Sequence, residues 1–110
     1  RTKYPSILAH NRRAIDRGWP RTMRINRRGA AARRAKLLAT IPTKRGFDRD
    51  EYPAAVGRGK GRGLERGSSP RGWRAHVEYV PSSENRSAGS TMGLKLRRYC
   101  DGVRFRVVGF

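Results

Sequence analysis

Twenty-seven Lys and Arg stand against only eight Asp and Glu in these 110 residues, and three of the eight, Asp48, Asp50 and Glu51, fall within four positions. A formal net charge of +19 has a folding cost through self-repulsion. It therefore says more than that the surface is soluble, and it points to a polyanionic partner. Nucleic acid comes first, because Lys and Arg gain affinity by releasing condensed counterions. The cations are mostly Arg, which favours planar, bidentate contacts to phosphate. Composition alone would permit disorder. The pattern argues against it, since apolar residues come in short periodic groups separated by basic stretches.

One domain over 1–110 is the most this length supports. Cys100 is alone, so an internal disulfide and a four-cysteine zinc site are both excluded. No apolar run approaches the roughly 18 residues of a membrane-spanning helix, so no membrane insertion is expected. The start, RTKYPSILAH, has no long apolar segment, no cleavage site and no initiator Met, which suits a mature form or an excised domain.

The periodicity predicts helices at 5–18, 26–40 and 81–102 and alternating strands at 21–27, 73–80 and 103–110. Ser6, Asn26 and Ser82 or Ser83 are the expected helix caps. Ala31, Ala35, Leu38 and Ala39 form the expected apolar stripe of the second helix, and Gly89 and Gly93 suggest close approach of another backbone to the third. The acidic stretch reads as a loop. Residues 57–72 read as a flexible, cationic, Gly/Arg-rich loop. Antiparallel pairing of the last two strands would bury Val77, Tyr79, Phe105 and Val107 against the third helix. The expected class is α+β, a small antiparallel sheet packed against about three helices.

A phosphodiesterase needs an activated water, a divalent metal and cations for the phosphate. With so few acids the candidates are nearly countable. Asp48, Asp50 and Glu51 read either as a metal or base site, or as a turn cap with surface ion pairs to Arg. Glu84, Asn85 and Arg86 lie at a helix start: the first two are oxygen ligands suited to Mg²⁺ or Mn²⁺, and ordinary capping explains Glu84 equally well. His10 and His76 are each more readily structural than catalytic. No Cys/His cluster suggests zinc chemistry, and GRGKGRG lacks the terminal Lys-Ser/Thr of a P-loop.

The stretches IPTKRGFDRDEYPAA and VPSSENRSAGSTMG, taken together and in this order, resemble the NucA/NucB deoxyribonuclease family, and the resemblance runs from YPSILAHNRRAI to DGVRF. It implies a compact relative of the ββα-metal nucleases with a ββα-metal-like active-site core, and sequence-nonspecific, divalent-metal-dependent cleavage of DNA, with RNA left open. It implies Asp50 as general base and Glu51 assisting. Glu84 and Asn85 would hold Mg²⁺ or Mn²⁺ with Asp50. Arg86 and Arg49 would clamp phosphate. From composition rather than resemblance, Arg58, Lys60 and Arg62 of the cationic loop are further candidate DNA contacts, and a tolerated insertion is the alternative. Three features depart from the family pattern: Arg49 where many members have Cys, Leu94 where a polar residue is common, and the longer, more basic 57–72 segment. The resemblance also implies a monomer that is secreted, or delivered into a target cell as part of a larger toxin with an acidic immunity protein as partner. The alternative is a non-catalytic basic nucleic-acid-binding protein, which leaves the acidic cluster unexplained.

Overall fold

Pro5 opens the first helix, α1 (Pro5–Asp16), at a position where its missing N–H and fixed φ cost nothing. Its buried residues Ile7, His10, Asn11 and Ala14 recur at steps of three, one and three, one stripe of a 3.6-residue period. No side chain of its own caps it; Ser6, the expected cap, lies inside the helix. The computed structural model describes residues 4–107. Within it follow β1 (Thr22–Arg24), α2 (Ala30–Leu38), β2 (Phe47–Tyr52), a single 3₁₀ turn (Ala55–Gly57), β3 (His76–Pro81), α3 (Ser82–Leu96) and β4 (Arg104–Arg106). The class is α+β: three helices with two small antiparallel sheets, β1–β4 and β2–β3.

The pairing corrects the expected topology. The last two strands do not pair; β3 pairs with β2, and β4 returns to β1 with Met23 opposite Phe105. Phe105 and Val107 pack against the cluster of Ala14, Met23, Tyr52 and Leu64, which holds β4 at β1 and away from β3. The acidic stretch is a strand and not a loop. Asp and Glu are poor strand formers, yet six residues pair in sequence from Phe47↔Pro81 to Tyr52↔His76, so tertiary pairing overrides propensity. Tyr79 is 37% exposed rather than buried under α3, because the polar face of β3 turns inward. Phe105 is half-buried. Of the expected final strand, residues 108–110 lie outside the described residues.

Two helices differ from their expected faces. In α2 the buried residues are Arg33, Leu37 and Leu38, while Ala31, Ala35 and Ala39 are exposed. Arg33 donates to the carbonyls of Ala55, Arg28 and Asn26 and so occupies the interior as a fully partnered cation. Asn26 does not cap α2; its amide donates to the Arg58 carbonyl, and Gly29 at φ 80° begins the helix instead. In α3, among the described residues, neither Gly89 nor Gly93 has any neighbour within 4 Å of where a Cβ would stand, so none of their backbone approaches there. Helix α3 has no side-chain cap either, and Ser82 donates to Asp48.

The 57–72 segment contains no helix or strand beyond the end of the 3₁₀ turn, but it is pinned at two points. Arg58 and Leu64 are both buried, and the Gly59 N–H donates to the Leu64 carbonyl at 2.7 Å. Glycine is required at Gly59, where φ is 95° and a Cβ would lie 2.8 Å from the Asn26 amide.

Candidate active site

Strand alternation sorts the acidic stretch onto two faces. Asp48, Asp50 and Tyr52 stand opposite Val80, Glu78 and His76, and this face meets α1 and α3. Tyr4, Ile7, Val80 and Ala88 form the apolar contact between them. Arg49 and Glu51 point the other way, toward α2.

Each of the three acids has a distinct job. Asp48 accepts from Ser82 Oγ at 2.7 Å, Asn85 Nδ2 at 3.2 Å and Arg86 Nε at 3.4 Å. The Ser82 hydroxyl, with help from Asn85 and Arg86, holds its carboxyl below the usual range. It thereby ties β2 to the first turn of α3. Glu51 is only 8% exposed and accepts from Arg34 Nε at 2.8 Å and Arg58 Nη1 at 3.0 Å. Asp50 meets the buried His10, with 2.5 Å between Asp50 Oδ2 and His10 Nδ1.

His10 is carried inward on the buried stripe of α1 and is fully enclosed. A buried imidazole needs partners for both ring nitrogens. The second is His76, whose Nδ1 lies 2.9 Å from His10 Nε2. One turn further along α1, Arg13 grips Glu78 in a bidentate pair, its Nε 2.8 Å from Oε2, and Arg17, just past the end of the helix, has its Nη1 3.3 Å from His76 Nε2. The Arg13 hydrogen bonds hold the Glu78 carboxyl below its ordinary range. Burial, with the positive groups of α1, pushes the His76 imidazole down. Among the described residues, His10, His76 and Glu78 each offer a metal-ligand atom, all within 4.8 Å of one another. An ion on those three would have to open the His10–His76 hydrogen bond and compete with Arg13.

Asp50, Glu51, Asn11 and Asn85 line one cleft between β2, α1 and α3, walled by Ile7, Met23, Ala88 and Met92. Asn85 gives its Nδ2 to Asp48 and keeps its Oδ1 for another partner. Glu84 does not line this cleft. Its Oε2 accepts the Ile7 N–H at 2.7 Å, so it caps α1 from a different helix and places a negative charge at that helix's positive end. Arg86 is exposed beside Asp48. Arg49 donates to the carbonyls of Leu38 and Ile41 at the end of α2. Arg58 is enclosed, bonded to Glu51 and to the Gly72 and Pro53 carbonyls, so its guanidinium does not reach solvent. Lys60 and Arg62 are exposed.

Taken one at a time from the sequence, His10 and His76 each look structural. A signal was present: His10 falls three after Ile7 and four before Ala14, which puts an imidazole on the buried stripe. The identity of its partners lay in the strand register, which periodicity does not carry.

No protein-family model matches the chain. The DNA-entry nuclease of Bacillus subtilis (strain 168) is 37% identical to it over 102 residues, covering 93% of this chain and 62% of that protein. The chain thus spans less than two thirds of its relative's length. Identity of that degree over nearly all of this chain makes it homologous to that part of the DNA-entry nuclease.

Proposed function

We propose that this domain is a divalent-metal-dependent DNA endonuclease that hydrolyses phosphodiester bonds. The observation that carries the reading is convergence: Asp50 and Asn85, from two motifs more than thirty residues apart in the chain, line a single cleft. The homology to a DNA-entry nuclease and the net charge of +19 support the substrate class. In this reading the basic surface gathers DNA, and Asp50 takes the proton from the attacking water.

The donor set suits a hard cation. Asp50 offers carboxylate oxygen and Asn85 its free Oδ1, oxygen ligands of the kind Mg²⁺ and Mn²⁺ prefer. Glu84 uses Oε2 as a helix cap and retains Oε1. When bound, the ion supplies charge stabilisation to the phosphate and lowers the pKa of a bound water. Arg86, 77% exposed beside Asp48, is placed to exchange that partner for a phosphate oxygen. Lys60 and Arg62 extend the cationic surface. The buried Arg58 acts in this reading as a support for Glu51. Secretion remains part of the proposal, and nothing in the relative's name supports a toxin role.

Incubation with plasmid DNA in Mg²⁺ or Mn²⁺, and then with EDTA, tests this. Nicking that needs the ion is the expected result. DNA binding without cleavage under any of these conditions would instead favour a non-catalytic basic binding protein.

A further inference from the structure

Four side chains run in one line from the protein surface to the candidate base: Arg17, His76, His10 and Asp50. Their hydrogen bonds can be assigned a direction from the two ends. Arg17 has only donors, so His76 Nε2, 3.3 Å from Arg17 Nη1, must be bare. A neutral imidazole carries one ring proton, so it sits on His76 Nδ1. That proton points at His10 Nε2, 2.9 Å away, which must then accept and be bare too. The His10 proton is left on Nδ1, 2.5 Å from Asp50 Oδ2. An ionised carboxylate only accepts, so the last bond fits the first three.

We infer that His10 is a positioning residue for Asp50, held in its Nδ1–H tautomer by a one-way chain from Arg17 through His76. His10 is 0% exposed and Asp50 lines the cleft, so the imidazole reaches the carboxylate from behind and leaves the cleft side open to water and substrate. The bond holds Oδ2 in place and fixes the direction in which Asp50 presents its other oxygen. Glu78, the acid next to His76 on this face, is occupied by Arg13 and does not compete for the His76 proton; its Oε2 stands 3.9 Å from His76 Nδ1. The inference rests on the nuclease reading for the role of Asp50, but the chain itself does not.

Two measurements separate the claims. Nitrogen-15 spectra of the imidazole side chains, taken on EDTA-treated protein at neutral pH, read the tautomers directly. Both rings should show a protonated Nδ1 and a bare Nε2; a proton on Nε2 of either ring overturns the chain. In the plasmid assay, His10→Leu should lower kcat by about 10–100-fold with KM little changed, the range typical of outer partners that orient a reacting group. His10→Asn, whose amide N–H stands near the place of Nδ1–H, should recover about tenfold of that loss. Equal rates in the two variants would overturn the positioning role. If His10→Leu does not fold, the spectra of the unaltered protein still decide the chain. Wild-type protein that cuts no DNA would sink the nuclease reading while leaving the tautomer result intact.

Discussion

The two faces of the β2–β3 ribbon are made from neighbouring residues and do different work. On one face Asp50, His76 and Glu78 lie under α1, and their polar atoms are satisfied by side chains brought from that helix. On the other, Glu51 is gripped by Arg34 and the buried Arg58, and Arg49 closes the end of α2. The first face sets its cleft carboxylate against a buried imidazole; the second spends its carboxylate on neutralising an interior cation. Adjacent acids in the chain, Asp50 and Glu51, thus separate into a candidate chemical group and a structural one, because successive strand residues point to opposite sides.

The sharpest test of that division is Asp50→Asn. DNA cleavage should fall by about 10²–10⁴-fold, the usual worth of a general base, with the unfolding midpoint little changed; a rate within tenfold of wild type would end the role of Asp50. Arg58→Met probes the opposite face. It should cost about 3–5 kcal/mol, as expected when one partner of a buried ion pair is removed, with the loss read from urea unfolding. A stable variant would mean that Arg34 alone satisfies Glu51.

Glu84→Ala should cost about 1 kcal/mol through the lost cap on α1, also measured by urea unfolding. Glu84→Gln keeps an acceptor and should retain most of that stability, so a large activity loss in the Gln variant would identify Glu84 as a metal ligand in addition to a cap. Smaller still is Gly93→Ala, in a helix interior with open space around it. It should stabilise by about 0.4–1 kcal/mol, and destabilisation would restore the close backbone approach that the sequence suggested.

Acid titration compares the two ends of the first face. Asp48 and Glu78 both have carboxyls held below their ordinary values of 3.8 and 4.5 by hydrogen-bond donors. A lowered folded pKa means the unfolded chain binds protons first on acidification. Their contribution is therefore full above those ordinary values and is lost as pH falls through the lower folded ones. Asp48→Asn should flatten this part of the curve of unfolding free energy against pH, and an unchanged slope would show that Asp48 carries none of it.

Three helices and the strands around Met23 and His76 were legible because each repeats its apolar residues locally. The site motifs were legible as two stretches that make sense together. Strand β2 was not, since its composition argues against a strand and its partner lies more than twenty residues away. The apolar side of β3 suggested burial of Tyr79, but the inward side is the polar one, because His76 and Glu78 find partners on α1 that no local pattern announces. Arg58 was expected on a DNA-contacting loop and is buried, for the same reason.

Sequence by itself determined the charge, the helices and which acids were worth suspecting, since these depend on residue type and short-range period. Only the tertiary structure decided which acid meets the buried His10, which one holds an arginine and which one caps a helix. Those outcomes depend on strand register and on α1 crossing the ribbon, where a single-residue slip would exchange Asp50 for Glu51.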